Sequence, residues 1–143
     1  MLSLPRYVKD AGHAEQGKIP VVDVTEDRNA LDILLRLCFP GEVPELRVLD
    51  DVKIGLEVSR KYDVHGVTAF LRRSLISPTL LEDAPLRVYA IAYLYELPQE
   101  TLVAAKASLR LRRAEVYDPV GVPELCTLPT LARIRLTIPF KLQ

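Results

Sequence analysis

Two cysteines are all that the 143 residues carry, Cys38 and Cys126, far apart and with no CxxC between them. That spacing excludes a disulfide framework and fits a reducing, intracellular compartment, cytoplasm or nucleus. The two histidines, His13 and His65, share no ligand spacing with each other or with the cysteines, so the sequence offers no metal site. An excess of charge is missing as well, with 19 basic residues against 19 acidic ones. A nucleic-acid binder that works by neutralising phosphates needs a basic excess on some face, so no nucleic-acid partner is expected. Charges interrupt every apolar run before it nears the roughly 18 to 20 residues of a membrane span. The opening "MLSLPRYVKD" meets Pro5 and Arg6 at once, so no secretory signal is expected there. Glycine-rich phosphate loops are lacking, and Asp50 and Asp51 read as the acidic first turn of a helix, not as a catalytic carboxylate pair. No catalytic residue and no cofactor follows from these residues, so a non-enzymatic protein is expected.

What is present is core material. The chain is 49% hydrophobic, enough to build one domain that hides roughly two thirds of its unfolded surface. Residues 1–18 read as an irregular lead-in broken by Gly12 and Gly17. "IPVVDV" (Ile19 to Val24) is β-branched and reads as a strand. Thr25 then stands where an N-cap belongs, with Glu26 and Asp27 in the first turn. Leu31, Leu34, Leu35 and Cys38 recur at helical spacing, and Pro40 and Gly41 stop that first helix. A second helix runs from about Leu49 to Tyr62, with Leu49, Val52 and Leu56 facing inward and Glu57 and Lys61 spaced as an ion pair. "DVHGV" breaks the chain, with His65 as a turn residue. A third helix carries Val67, Phe70, Leu71 and Leu75 and closes at Ser77–Pro78. Pro85 opens a fourth helix, with Leu86, Tyr89, Ala90, Tyr93, Leu94 and Leu97 on its period. Pro98 opens a fifth, with Leu102, Ala105 and Leu109 inward and Arg110, Arg112 and Arg113 near its end. From Ala114 the pattern degrades, and "RIRLTIPF" fits a strand as well as a short helix. No internal repeat is visible. The class expected is α+β, mostly α, with one strand whose backbone needs a partner.

The order of these phrases carries a resemblance. "PVVDV", then "LDILLRLCFPG", then "VLDDVKIGLEVSRKYDVHGVTAFLRRSLI" resembles the second half of a BTB/POZ domain. "SPTLLEDAPLRVYAIAYLYELPQETLVAAKASLRL" resembles the helical extension that follows this domain in fungal members, and the match spans about residues 19 to 111. The resemblance implies a BTB/POZ-like helical bundle with a small sheet remnant: a lead-in over 1–18, a partial domain over 19–76, a helical extension over 77–113 and a poorly defined tail over 114–143. The family's first hairpin and first helices have no counterpart, which implies that the chain starts within the domain, at "MLSLP". Those elements build much of the family's homodimer interface.

The resemblance implies a protein-interaction module that acts by oligomerisation or by docking a partner. An alternative is a substrate adaptor for a cullin-type ubiquitin ligase; another is a truncated fragment with little function of its own. The adaptor version points to Glu15, in the segment nearest the family's scaffold motif, to Phe39, and to the helix bearing Arg72 and Arg73. Tyr95 falls off the apolar stripe of its helix and reads as a surface contact. Cys38 could be a nucleophile, a palmitoylation site or core filling, and its apolar neighbours favour buried packing. Cys126 gets no role. "LRLRR" (Leu109 to Arg113) reads as a solvated helix end, since no aromatic stacking platform accompanies it.

Overall fold

The computed structural model describes residues 21–39, 41, 46, 48–111 and 122–137. Every regular element among them is a helix, and none is long and apolar enough to cross a membrane. The expected strand is a correction. Val21–Val24 pairs with no other described segment, and Val21 and Val22 are 89% and 78% exposed. A β-branched run becomes a strand only when a neighbour answers its backbone groups. Ile19, Pro20 and the lead-in lie outside the described residues.

The first helix, α1 (Arg28–Cys38), is capped by Asp27, whose carboxylate accepts the Ala30 N–H at 2.8 Å. Thr25, expected in that role, instead accepts from the Lys61 ammonium at 2.6 Å. A carboxylate directly before the first turn reaches the free N–H groups. Thr25 and Glu26 are thereby left to bind the next helix. Two apolar stripes lie side by side on α1, and only one faces the core. Ala30, Ile33 and Leu34 are buried with Leu37 half-buried, whereas Leu35 and Cys38 are exposed. The reading of Cys38 as core filling is therefore corrected.

Helix α2 (Leu49–Lys61) packs on α1 and on α3 (His65–Leu75). Leu49, Val52 and Leu56 are buried on α2, and Val67, Leu71 and Leu75 on α3, with Phe70 half-buried, as the spacing predicts. The three helices meet at Gly55. A β-carbon there would stand 2.9 Å from one methyl of Leu71 and 3.4 Å from Ile33, so the missing side chain sets how closely α2 and α3 approach. Lys61 binds Glu26 rather than the expected Glu57. His65 is the first residue of α3 and not a turn residue.

Three helices follow in the chain: α4 (Pro78–Asp83), then α5 (Pro85–Leu94), which pairs with α6 (Pro98–Ser108). Each of the three starts on a proline, whose absent N–H is one the first turn leaves unbonded anyway. The α2–α3 and α5–α6 connections are built alike. Asp63 and Glu96 both take φ of 57°. The next residue closes the turn in each case, Val64 N–H to Ser59 O and Leu97 N–H to Ala92 O, both at 2.9 Å. Thr68 and Thr101 then donate their hydroxyls to the Val64 and Leu97 carbonyls.

Helix α5 is buried nearly all round, with Val88, Ala90, Ile91 and Ala92 fully enclosed. Helix α6 meets expectation at Ala105 alone: Ala105 is buried, but the two leucines expected beside it are not. Glu100, Ala104, Ala105 and Ser108 face inward, while Leu102 and Leu109 are exposed. Small side chains let α6 lie close on α5, and Glu100 has a cation to meet. Beyond residue 121 the chain forms α7 (Pro123–Cys126) and α8 (Thr130–Thr137), which resolves the helix-or-strand ambiguity for residues 130–137 in favour of helix. Leu125, Leu128 and Ala132 join a single core that begins at Ala30.

Candidate interaction surface

The described residues before α2 concentrate unburied apolar side chains. Val21, Val22, Val24, Leu35 and Phe39 are all exposed, Phe39 at 69%. Helical geometry puts Leu31, Leu35 and Cys38 on one face of α1, beside the buried stripe. Of the four residues expected on the inward stripe, Leu34 is buried and Leu31 half-buried, while Leu35 and Cys38 are exposed. A clasp ties the two residues before the cap of α1 to the end of α2. The Glu26 carboxylate accepts from the Lys61 ammonium and, at 2.6 Å, from the Tyr62 hydroxyl. These bonds hold the Glu26 carboxyl down at about 2 and push the Lys61 ammonium and the Tyr62 phenol up.

The remaining predicted partner residues do not gather on this surface. Glu15 lies outside the described residues. Arg73 is exposed on α3. Arg72 is committed to Glu100 of α6 through two bonds of 2.7 and 3.1 Å, and this pairing raises the pKa of its guanidinium. Tyr95 is half-buried, and its hydroxyl donates to the Lys53 carbonyl at 3.5 Å; burial pushes its phenol up. Tyr95 is thus partly taken up in the fold. Cys126 is exposed on α7.

Sequence reasoning missed the group that anchors α7. Arg87, the only charge in α5, donates to both oxygens of Glu124, at 2.7 and 3.0 Å, and to Asp50 at 2.7 Å. Lys53 stands 3.4 Å from the same Glu124 carboxylate. Glu124 is 3% exposed, and Arg87 holds its carboxyl at about 2 against the cost of burial. A lone arginine in an otherwise uncharged helix was the signal, because such a charge must find partners when the helix is buried. No buried side-chain polar atom among the described residues lacks a partner. No three His, Cys, Asp or Glu side chains among them come together as a metal site.

A second apolar feature lies on α5, α6 and the segment through α8. It is an open groove of 830 Å³, lined among others by Tyr89, Tyr93, Leu97, Leu102, Thr127 and Arg135. The rings of Tyr89 and Tyr93 stack at 6.3 Å between centroids. Comparison of the chain with protein-family models, with curated proteins and with solved structures finds no match.

Proposed function

We propose that the chain is a non-enzymatic protein-interaction module of the BTB/POZ type whose N-terminal surface docks on another protein chain, a second copy being the occupant. The carrying observation is the run of exposed side chains Val21, Val22, Val24, Leu35 and Phe39. Scattered exposed apolar residues are ordinary on a monomer, and their concentration in one stretch of the sequence supports reading it as an interaction site. A formal net charge of zero removes the repulsion that keeps like-charged copies apart. The adaptor version of this reading would use Phe39 and Arg73, the exposed members of the predicted partner set among the described residues. A fragment without independent function is the weaker alternative, because one core connects α1 to α8.

Sedimentation equilibrium from about 1 to 100 µM spans the range of modest self-association. The average mass is expected to climb toward that of a dimer. Phe39→Asp and Leu35→Asp, both at exposed positions, should hold the chain monomeric with an unchanged urea midpoint. A wild-type chain that stays monomeric throughout overturns the second-copy reading.

A further inference from the structure

The groove on α5 and α6 is separate from the N-terminal surface, and its polar groups are unequally used. Tyr89 donates its hydroxyl to the Ala132 carbonyl at 3.0 Å. Thr101 donates to Leu97 O and Thr127 to Glu124 O, each at 2.7 Å. Glu96 faces Arg60 at 3.5 Å. Among the described residues, the Arg135 guanidinium has no carboxylate partner and the Tyr93 hydroxyl no acceptor. Both lie close enough to the Tyr89 phenol to act on it, Tyr93 reinforcing the upward push of burial and Arg135 opposing it. The unspent groups are therefore donors, gathered around one aromatic pair, and one of them is cationic. The apolar lining is also uncovered, since Leu94 and Leu102 are 38% and 42% exposed.

We propose that this groove binds an amphipathic helix of another protein, with aliphatic side chains laid on Tyr89, Tyr93 and Leu102 and a carboxylate received by Arg135 and Tyr93. A helical occupant follows from the walls. The backbone groups of α5 and α6 are spent within their own helices, so an added strand would find no ladder to extend, and side-chain docking is the mode left. The acidic character follows from Arg135, a planar donor fork that matches a carboxylate.

The test displays two libraries of helical peptides about 15 residues long, long enough to hold a helix on binding. Both have leucines at i, i+4, i+7 and i+11; one is flanked by glutamates and the other by lysines. Selection on the full chain should enrich the glutamate library. Arg135→Glu should weaken the enriched peptides by about tenfold or more, as expected for loss of a charge-assisted pair, and should admit the lysine library. Leu102→Asp, at an exposed position, should weaken binding of both, and Phe39→Asp should leave it unchanged, which separates this site from the N-terminal surface. Equal enrichment of the two libraries, or affinity that ignores Arg135→Glu, overturns the proposal. So does a gain of about tenfold when residues 138–143 are removed, which would make the chain's own end the occupant.

Discussion

Arg72 on α3 grips Glu100 on α6 through two parallel hydrogen bonds, Nε to Oε1 at 2.7 Å and Nη2 to Oε2 at 3.1 Å. Glu100 is 5% exposed, whereas the Arg72 side chain keeps 37% of its surface in water. Removing the arginine strands a buried carboxylate. Arg72→Ala should therefore cost about 2 to 3 kcal/mol, somewhat less than for a fully buried pair. The double change Arg72→Leu/Glu100→Leu should recover most of that loss. Urea unfolding of the single and double variants measures both; an additive double variant would refute the pairing energetics.

Acid should loosen the Arg87–Glu124 group. The Glu124 carboxyl is held at about 2 in the folded chain against an ordinary 4.5. A group whose pKa is lowered by folding contributes stability above its unfolded value and loses it as pH falls through the folded one. The contribution is complete at pH 5 and above, declines between about 4.5 and 2, and amounts to about 3 kcal/mol. Glu124→Gln should differ most from the wild type at pH 7 and converge with it near pH 2. Urea midpoints across that range provide the check.

At Gly55 the approach of Leu71 leaves no space for a branched side chain. Gly55→Val should destabilise by about 2 to 3 kcal/mol through overpacking. Gly55→Ala should be far milder, because the helix gains up to about 1 kcal/mol from losing its glycine. Thermal midpoints of the two variants distinguish steric crowding from helix propensity.

Asp63 and Glu96 hold left-handed backbone without being glycine. Glu96→Gly should stabilise the chain by about 1 kcal/mol by relieving the β-carbon clash. Asp63→Gly should give less, since aspartate tolerates this region better. Loss of stability in both variants would contradict the turn geometry.

Both cysteines are exposed, so a thiol reagent should modify two sites per folded chain. Cys38 shares its helix face with Leu35 and should be protected at concentrations where copies associate. Cys126 on α7 should react at the same rate throughout and serves as the internal reference. Labelling followed by peptide mass mapping reads each site separately.

The sequence made some of this legible for definite reasons. On α2 and α3 a single stripe of large aliphatic residues is flanked by charges, so the inward face has one solution. On α1 two stripes compete, and the chain buries the one that starts with Ala30, which periodicity cannot favour over Leu31. On α6 the largest residues misled, because the inward face is chosen by the close packing of Ala104 and Ala105 and by Arg72 meeting Glu100. The strand failed because pairing is a property of two segments. The Glu124 anchor was hidden by distance, as it lies 37 positions from Arg87 in a stretch with weak local pattern. Of the candidate partner residues that are described, Phe39 and Arg73 are exposed, while Arg72 and Tyr95 are half-buried, Arg72 paired with Glu100 and Tyr95 reaching the Lys53 carbonyl.

The matched turns after α2 and α5 have a kinetic consequence. Each joins two helices that are neighbours in sequence, so each helical pair closes across a very short loop and needs little chain entropy to form. The Arg72–Glu100 grip and the Arg87–Glu124 anchor connect segments separated by 28 and 37 positions, so they are expected to form at a later stage of assembly. Weakening either should speed unfolding far more than it slows folding. On that expectation the working lifetime of the folded chain should depend more on Arg72 and Arg87 than on the helical pairs they join, which unfolding rates of Arg72→Ala and Arg87→Ala would test.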